Sequence, residues 1–204
     1  MCGRYYFDID EKELKEIADA VQKNIYEDFK IGEIFPSNIA PILIEKENKV
    51  IPIIAKWGFP KWNDKGIVIN ARVEGLSEKI AFKNLVNTNR CIIPASSFFE
   101  WKRSLSGARL KDKYIFKRPE SVLYMAGLYN TFNNESKQLS MFDIKNENIS
   151  YVIITMNANS YISSIHDRMP LILAKYEMEK WLYGEDINTL VTNNQVELIH
   201  SVIS

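Results

Sequence analysis

The sequence is poor in the residues that form disulfides and bind metal ions. Its 204 residues include two cysteines and two histidines. Two cysteines argue against a disulfide scaffold and fit a reducing compartment. So few cysteines and histidines also argue against a dedicated zinc site. Any nucleophilic chemistry must therefore depend on very few side chains.

The sequence also lacks an excess of charge and a long apolar run. Lys and Arg number 26, as do Asp and Glu, so the formal net charge is zero. Binding to nucleic acid would need a local concentration of basic residues. No apolar run reaches the roughly 18–20 residues of a membrane span, and the first residues lack the apolar region of a signal peptide. We expect a cytoplasmic protein, associated with the nucleoid if it is bacterial, that has no membrane partner.

What the sequence does contain is typical of a globular chain, with 46% hydrophobic and 25% charged residues. The length fits one domain over residues 1–204. Segments dense in Val, Ile, Tyr and Phe follow one another without regular helical crossovers. This order predicts an α+β fold with a mainly antiparallel, barrel-like β-core and peripheral helices. Strands are expected at 2–7, 38–46, 49–59, 90–101, 112–118, 121–130, 149–157, 169–173 and 196–204.

Helices are predicted where apolar residues recur every three to four positions. The clearest pattern lies within residues 10–29, where Leu14, Ile17, Ala18, Val21 and Ile25 share one face. Further helices are predicted at 77–89 and 175–184, and a short helical turn at 160–165.

Cys2 stands directly after the initiator methionine, where chains usually fray. Removal of Met1, which is expected before a small residue, would leave an α-amine with a pKa near 8 beside a thiol with a pKa near 8.5. The amine can form a Schiff base with an aldehyde, and the thiol can then close a five-membered thiazolidine ring. The same pair also suits an N-terminal nucleophile hydrolase, in which the thiol attacks an amide and the amine is the base. A third interpretation is a chance cysteine in a core strand.

Three polar residues lie between apolar runs. They are Asn70, Glu100 and His166. Burying such groups is costly unless they pair, so each is either a structural partner or part of a reactive site. Cys91 is interpreted as a small, buried apolar residue.

Several short motifs occur in an order that resembles the SRAP family, the SOS-response-associated peptidases that covalently capture abasic sites in single-stranded DNA. The motifs span most of the chain and are "MCGRYYF" at 1–7, "NIAP" at 38–41, "WGFPKW" at 57–62, "NARVEG" at 70–75, "RCIIPASSFFEW" at 90–101 and "IHDRMPLIL" at 165–173. Each fragment is weak alone, whereas the ordered set with cysteine at position 2 is specific.

The resemblance implies a catalytic group of four residues. Cys2, once Met1 is lost, would form a thiazolidine with the ring-opened aldehyde of an abasic site. Glu100 would transfer protons and orient the amine, and His166 would act as general acid and base. Asn70 would hold the sugar or the Cys2 end by hydrogen bonds. A Schiff base that fails to cyclise would permit β-elimination, which is a lyase activity.

The resemblance also implies contacts with DNA. Arg4, Arg72 and Arg168 are candidates for phosphate binding, and aromatic rings in a basic groove hold single strands without reading their sequence. The remaining candidates are Trp57, Trp62, Trp101, Met169 and Pro170. The expected partner is single-stranded DNA containing abasic sites, bound by a monomer. No metal ion and no organic cofactor is expected, because amine, thiol, carboxylate and imidazole supply the chemistry.

A basic run follows Glu100 and supports nucleic-acid binding independently of the resemblance. Between residues 102 and 118 there is one acidic residue, Asp112, and the basic residues are Lys102, Arg103, Arg109, Lys111, Lys113, Lys117 and Arg118. This run is either a phosphate-contacting segment or an ordinary solvated loop. Non-catalytic binding of single strands therefore stays open beside covalent capture and peptide hydrolysis.

Overall fold

The structure, a computed structural model, describes residues 2–24, 28–61, 65–102, 112–119, 122–132, 149–192, 194 and 196–203. The strands are β1 (Tyr5–Phe7), β2 (Gly32–Ile34), β3 (Ile39–Lys46), β4 (Lys49–Trp57), β5 (Phe59–Pro60), β6 (Ile67–Val68), β7 (Asn70–Arg72), β8 (Arg90–Ala95), β9 (Ser97–Trp101), β10 (Lys113–Lys117), β11 (Leu123–Thr131), β12 (Ile149–Asn157), β13 (Arg168–Pro170), β14 (Ile172–Leu173) and β15 (Ile199–Ile203). The α-helices are α1 (Lys12–Asn24), α2 (Ile80–Lys83), α3 (Leu85–Thr88), α4 (Lys175–Leu182) and α5 (Ile187–Thr192).

The larger sheet closes on itself. Strands β12, β4, β3, β8 and β11 pair in that order, and β11 pairs again with β12. The hairpin between β3 and β4 has φ angles of 53° at Glu47 and 58° at Asn48, which suit a tight two-residue turn between antiparallel strands. The interior is apolar, and Ile93, Met125 and Ile153 are fully buried there. The predicted α+β fold with a barrel-like core is confirmed.

A five-stranded sheet packs beside the barrel in the order β15, β10, β9, β1, β2. The N-terminal strand β1 lies inside this sheet, because Tyr5 pairs with Ile34 of β2 on one side and with Phe98 of β9 on the other. The start of the chain is therefore held between two neighbours, although chain ends usually fray.

Local details depart from the sequence prediction. β12 runs parallel to β4 and β7, whereas the other pairings are antiparallel. The helix predicted at 77–89 is two short helices, α2 and α3, which meet at Asn84. Residues 160–165 form hydrogen-bonded turns rather than a helix. These changes leave the layers of the fold unaltered.

Candidate active site

Cys2 lies in the interior, immediately before β1, and is fully buried. Its thiol donates to the main-chain oxygen of Arg4 at 3.7 Å. The side-chain amide of Asn70, the first residue of β7, donates to the main-chain oxygen of Cys2 at 2.8 Å. Burial raises the pKa of the Cys2 thiol well above its usual range, and the charge of Glu100 raises it further. The thiol is therefore protonated at neutral pH and needs a base before it can attack.

A second contact fixes the same strand to the barrel. The hydroxyls of Tyr5 and Tyr151 lie 2.6 Å apart, and both residues are fully buried. Tyr151 belongs to β12, which also pairs with the strand of Asn70. The position of Cys2 is thus set from two directions, by Asn70 through the main chain and by Tyr151 through Tyr5.

Glu100 lies on β9 and is 2% exposed. Burial raises the pKa of its carboxyl to about 7. A carboxyl with that pKa exists in both protonation states near neutral pH, so it can donate or accept a proton. Its negative charge contributes to the raised pKa of the Cys2 thiol.

His166 precedes β13, and its Nε2 lies 3.8 Å from Oε2 of Glu100. The main-chain N–H of Arg168 donates to Nδ1 at 3.0 Å, whereas Oδ1 of Asp167 lies at the same distance from that atom. Nδ1 cannot accept from the first while donating to the second. The neutral ring that accepts from Arg168 carries its proton on Nε2, which faces Glu100. Protonation of the ring would favour the contact with Asp167 instead.

The predicted catalytic residues therefore form one connected group. Asn70 contacts Cys2, the charge of Glu100 acts on Cys2, and His166 faces Glu100. They come from the N-terminus, β7, β9 and the segment before β13, so the two sheets together build the site.

Two of the predicted DNA-contacting residues lie in accessible places. Arg72 is exposed at the end of β7. Trp101 is partly exposed at the end of β9, and the guanidinium of Arg4 lies 5.0 Å from the centre of its ring. Arg4 also donates to Glu33 at 3.2 Å.

Trp57 does not fit its predicted role. Its ring is fully buried, its Nε1 donates to the main-chain oxygen of Ile69 at 3.0 Å, and it stacks parallel to Tyr151. A base cannot reach either face of the ring in this arrangement, so Trp57 is a core residue. Trp62 lies outside the described residues, as do Arg103, Arg109 and Lys111 of the basic run.

Arg168, Met169 and Pro170 are buried as well, which corrects their assignment to the DNA surface. The guanidinium of Arg168 forms a bidentate pair with Glu74, at 2.6 and 3.0 Å. It also donates to Asn157 and to the main-chain oxygen of Thr155, both at 2.7 Å. With these acceptors satisfied, Arg168 anchors the segment that carries His166.

Comparison with known proteins identifies the family. The model of the SOS response associated peptidase (SRAP) family matches residues 1–201. The chain belongs to the SRAP family. Its sequence is 34% identical over 195 residues to the abasic site processing protein YoqW of Bacillus subtilis, covering 89% of this chain and 80% of that protein. It is 30% identical over 193 residues to the abasic site processing protein YedK of Escherichia coli, covering 91% and 81%.

Solved structures show the same fold. A protein from Bacteroides thetaiotaomicron superposes with a TM-score of 0.76 at 23% identity, covering all of this chain and 92% of that one. A phage-related protein from Bordetella bronchiseptica gives 0.67 at 18% identity, covering 99% and 94%.

Two polar residues lie next to predicted site residues of this SRAP chain but were not predicted from the sequence. Thr155 is fully buried, and its hydroxyl has no hydrogen-bond partner among the described residues. It pairs with Arg72 in the parallel ladder that places Asn70 opposite Ile153, so Thr155 and Asn70 lie on one face. Glu33 is the other, because it contacts Arg4 and Lys113. A hydroxyl in the apolar run "YVIITM" was a readable signal for Thr155, whereas Glu33 gave none.

Across the described part of the chain, no helix has both the length and the apolar character needed to cross a bilayer. No three or more His, Cys, Asp or Glu side chains are grouped there in a way that could hold a metal ion.

Proposed function

We propose that this SRAP protein processes abasic sites in single-stranded DNA by covalent capture at Cys2. The observation that carries the proposal is the convergence of Cys2, Asn70, Glu100 and His166 on one buried position. Membership of a family whose curated relatives are named abasic site processing proteins supports it. Arg4 and Trp101, which lie side by side, and the exposed Arg72 at the end of β7 supply cations and a ring for the strand.

The reaction begins after removal of Met1, which exposes the α-amine of Cys2. The amine adds to the aldehyde carbon of the ring-opened sugar, and loss of one water gives the Schiff base. The sulfur then bonds to the same carbon, the thiol proton leaves, and the imine nitrogen becomes a secondary amine within a thiazolidine ring. The whole sequence releases one water and needs no oxidant or reductant.

The proton transfers that the reaction needs assign a role to each side chain. The thiol is protonated at neutral pH because burial raises its pKa, so the attack of sulfur requires a proton acceptor. Glu100, with a pKa of about 7, takes that proton in its ionised form and returns one to nitrogen or to the departing water. His166 donates to the ring oxygen as the sugar opens. Asn70 holds the main chain of Cys2, so amine and sulfur reach the aldehyde in sequence.

The test is a reaction of the Met1-processed protein with a single-stranded oligonucleotide carrying one abasic site. We expect a heat-stable band on a denaturing gel, with an intact mass equal to protein plus oligonucleotide less one water. Cys2→Ala abolishes this band. Cys91→Ala, which removes the other buried thiol, is the matched control and retains it.

The variants also separate the alternatives. Cys2→Ala keeps an α-amine, so a Schiff base trapped by borohydride together with strand cleavage would reveal a lyase activity. Peptide hydrolysis by the wild type without a shifted band would reject capture and support a thiol peptidase. DNA binding without any Cys2-dependent reaction would reject both in favour of a non-catalytic binder.

A further inference from the structure

Glu33 holds two cations on the outer side of the five-stranded sheet. One of its carboxylate oxygens lies 2.7 Å from Nζ of Lys113 and 3.2 Å from Nη1 of Arg4. Partial burial opposes ionisation, but the hydrogen bonds and charges of Lys113 and Arg4 hold the pKa of Glu33 below its usual value. Glu33 is therefore ionised at neutral pH, and the three groups together carry one positive charge instead of two.

Aromatic rings surround these cations. The Arg4 guanidinium lies 4.2 Å from the ring centre of Phe35 and 5.0 Å from that of Trp101. Nζ of Lys113 lies 4.1 Å from the ring centre of Phe99. Cations among rings are the combination that binds a single strand through its phosphates and bases. On this face the carboxylate of Glu33 already pairs with both Arg4 and Lys113.

The ion pairs of Glu33 with Arg4 and Lys113 can be broken by a competing anion. The three charged side chains are each 25–30% exposed, so solvent screens their pairs and makes them weak. A phosphate brought to this face competes directly with Glu33 for Arg4 and Lys113.

We propose that Glu33 is a displaceable counter-ion that lowers the affinity of this face for undamaged single-stranded DNA. The inference rests on the proposed function and adds a determinant of specificity to it. The phosphate must displace Glu33, so intact strands dissociate readily. A strand with an aldehyde is retained because Cys2 forms a bond to it.

The test measures binding of a fluorescent single-stranded oligonucleotide without an abasic site, by anisotropy over a range of salt concentrations. For Glu33→Gln we expect affinity to rise about fivefold at 0.1 M salt, since one more cation is free for phosphate. The plot of log affinity against log salt becomes steeper by about 0.7. Glu179→Gln, at an exposed position of α4, changes the net charge equally and is the matched control, with a smaller effect on both quantities.

A second variant tests the mechanism. Lys113→Gln weakens binding more in the Glu33→Gln background than in the wild type, because Glu33 masks Lys113 only when it is present. Unchanged or weaker binding by Glu33→Gln, or an equal gain in Glu179→Gln, would overturn the proposal. If the wild type binds and captures DNA but Glu33→Gln has no effect, the role of Glu33 is rejected and the proposed function is retained. A wild type that neither binds nor reacts rejects the proposed function as well.

Discussion

The barrel and the five-stranded sheet differ in what they bury. In the barrel, β8 and β11 present Ile93, Leu123 and Met125 to the interior, all fully buried and apolar. In the five-stranded sheet, β9 buries Ser97 and Glu100. Burying a carboxyl is costly, so a rigid apolar neighbour that holds it in place is an advantage. The closed barrel therefore provides the apolar packing, whereas the buried carboxyl comes from β9, and Asn70 and His166 reach it from β7 and from the segment before β13 at the barrel.

Two tryptophans, one from each sheet, show the same difference between buried packing and an accessible surface. Trp57 ends the barrel strand β4 and is enclosed, whereas Trp101 ends β9 and stays partly exposed beside Arg4. The same side chain is therefore a packing element in one region and a surface element in the other.

The first prediction compares the two rings. Trp57→Ala is expected to lower the free energy of unfolding by about 3–5 kcal/mol, because it leaves a cavity and removes the bond to Ile69. Trp101→Ala should change it by less than about 1 kcal/mol while weakening binding of single strands. Urea unfolding and anisotropy measure the two effects. Trp57→Phe, which keeps a ring, should fall between them, and equal losses of stability at positions 57 and 101 would contradict the division.

The second prediction concerns Glu100 and pH. Its pKa of about 7 in the folded protein exceeds the unfolded value of about 4.3, so between these values the folded state binds more protons. Its contribution to stability is complete below the unfolded pKa and is lost as pH rises through 7. The loss over the whole range is on the order of 4 kcal/mol, because each pKa unit corresponds to about 1.4 kcal/mol.

Glu100→Gln cannot ionise, so the urea midpoint of this variant should change less between pH 5 and pH 8 than that of the wild type. Glu179→Gln serves as the exposed control and should leave the pH dependence unaltered. An equally steep decline in wild type and Glu100→Gln would show that another group is responsible.

The third and smallest effect is expected at Arg72, which is exposed at the end of β7. Arg72→Gln should weaken binding of a single-stranded oligonucleotide by about two- to fivefold at 0.1 M salt, as for the loss of one phosphate contact. The melting temperature should stay within about 2 °C, because the side chain is on the surface. Arg168→Gln offers the opposite case, since losing the pair with Glu74 should affect stability far more than binding.

Local pattern predicted much of this protein. Segments dense in Val, Ile, Tyr and Phe located the long strands, and the gap between the strands predicted at 38–46 and 49–59 coincides with the hairpin turn. Polar residues inside apolar runs indicated Asn70, Glu100 and His166, which the fold brings together with Cys2. Such signals depend on neighbours in sequence, so they can be read without knowledge of the fold.

Long-range partners set the remainder. Nothing near Arg168 in sequence indicates that Glu74 neutralises it, because the two are 94 positions apart. The parallel pairing of β12 with β4 and β7 likewise depends on barrel closure rather than on composition. Trp57 and Trp101 look alike in sequence, and only packing against Tyr151 distinguishes them. Membership of a single domain over residues 1–204, monomeric state and cellular location stay predictions.

The hydrogen bond from Asn70 ends on a main-chain oxygen, so it holds position 2 whatever side chain that position carries. Delivery and reactivity are thereby separate properties of the site. Semisynthesis could install serine, selenocysteine or homocysteine at position 2 while keeping the hydrogen bond from Asn70. Each side chain would then approach the aldehyde from the same direction. The main-chain contact at position 2 is thus independent of the nucleophilic side chain, so that side chain could be varied to change how long a captured strand stays attached.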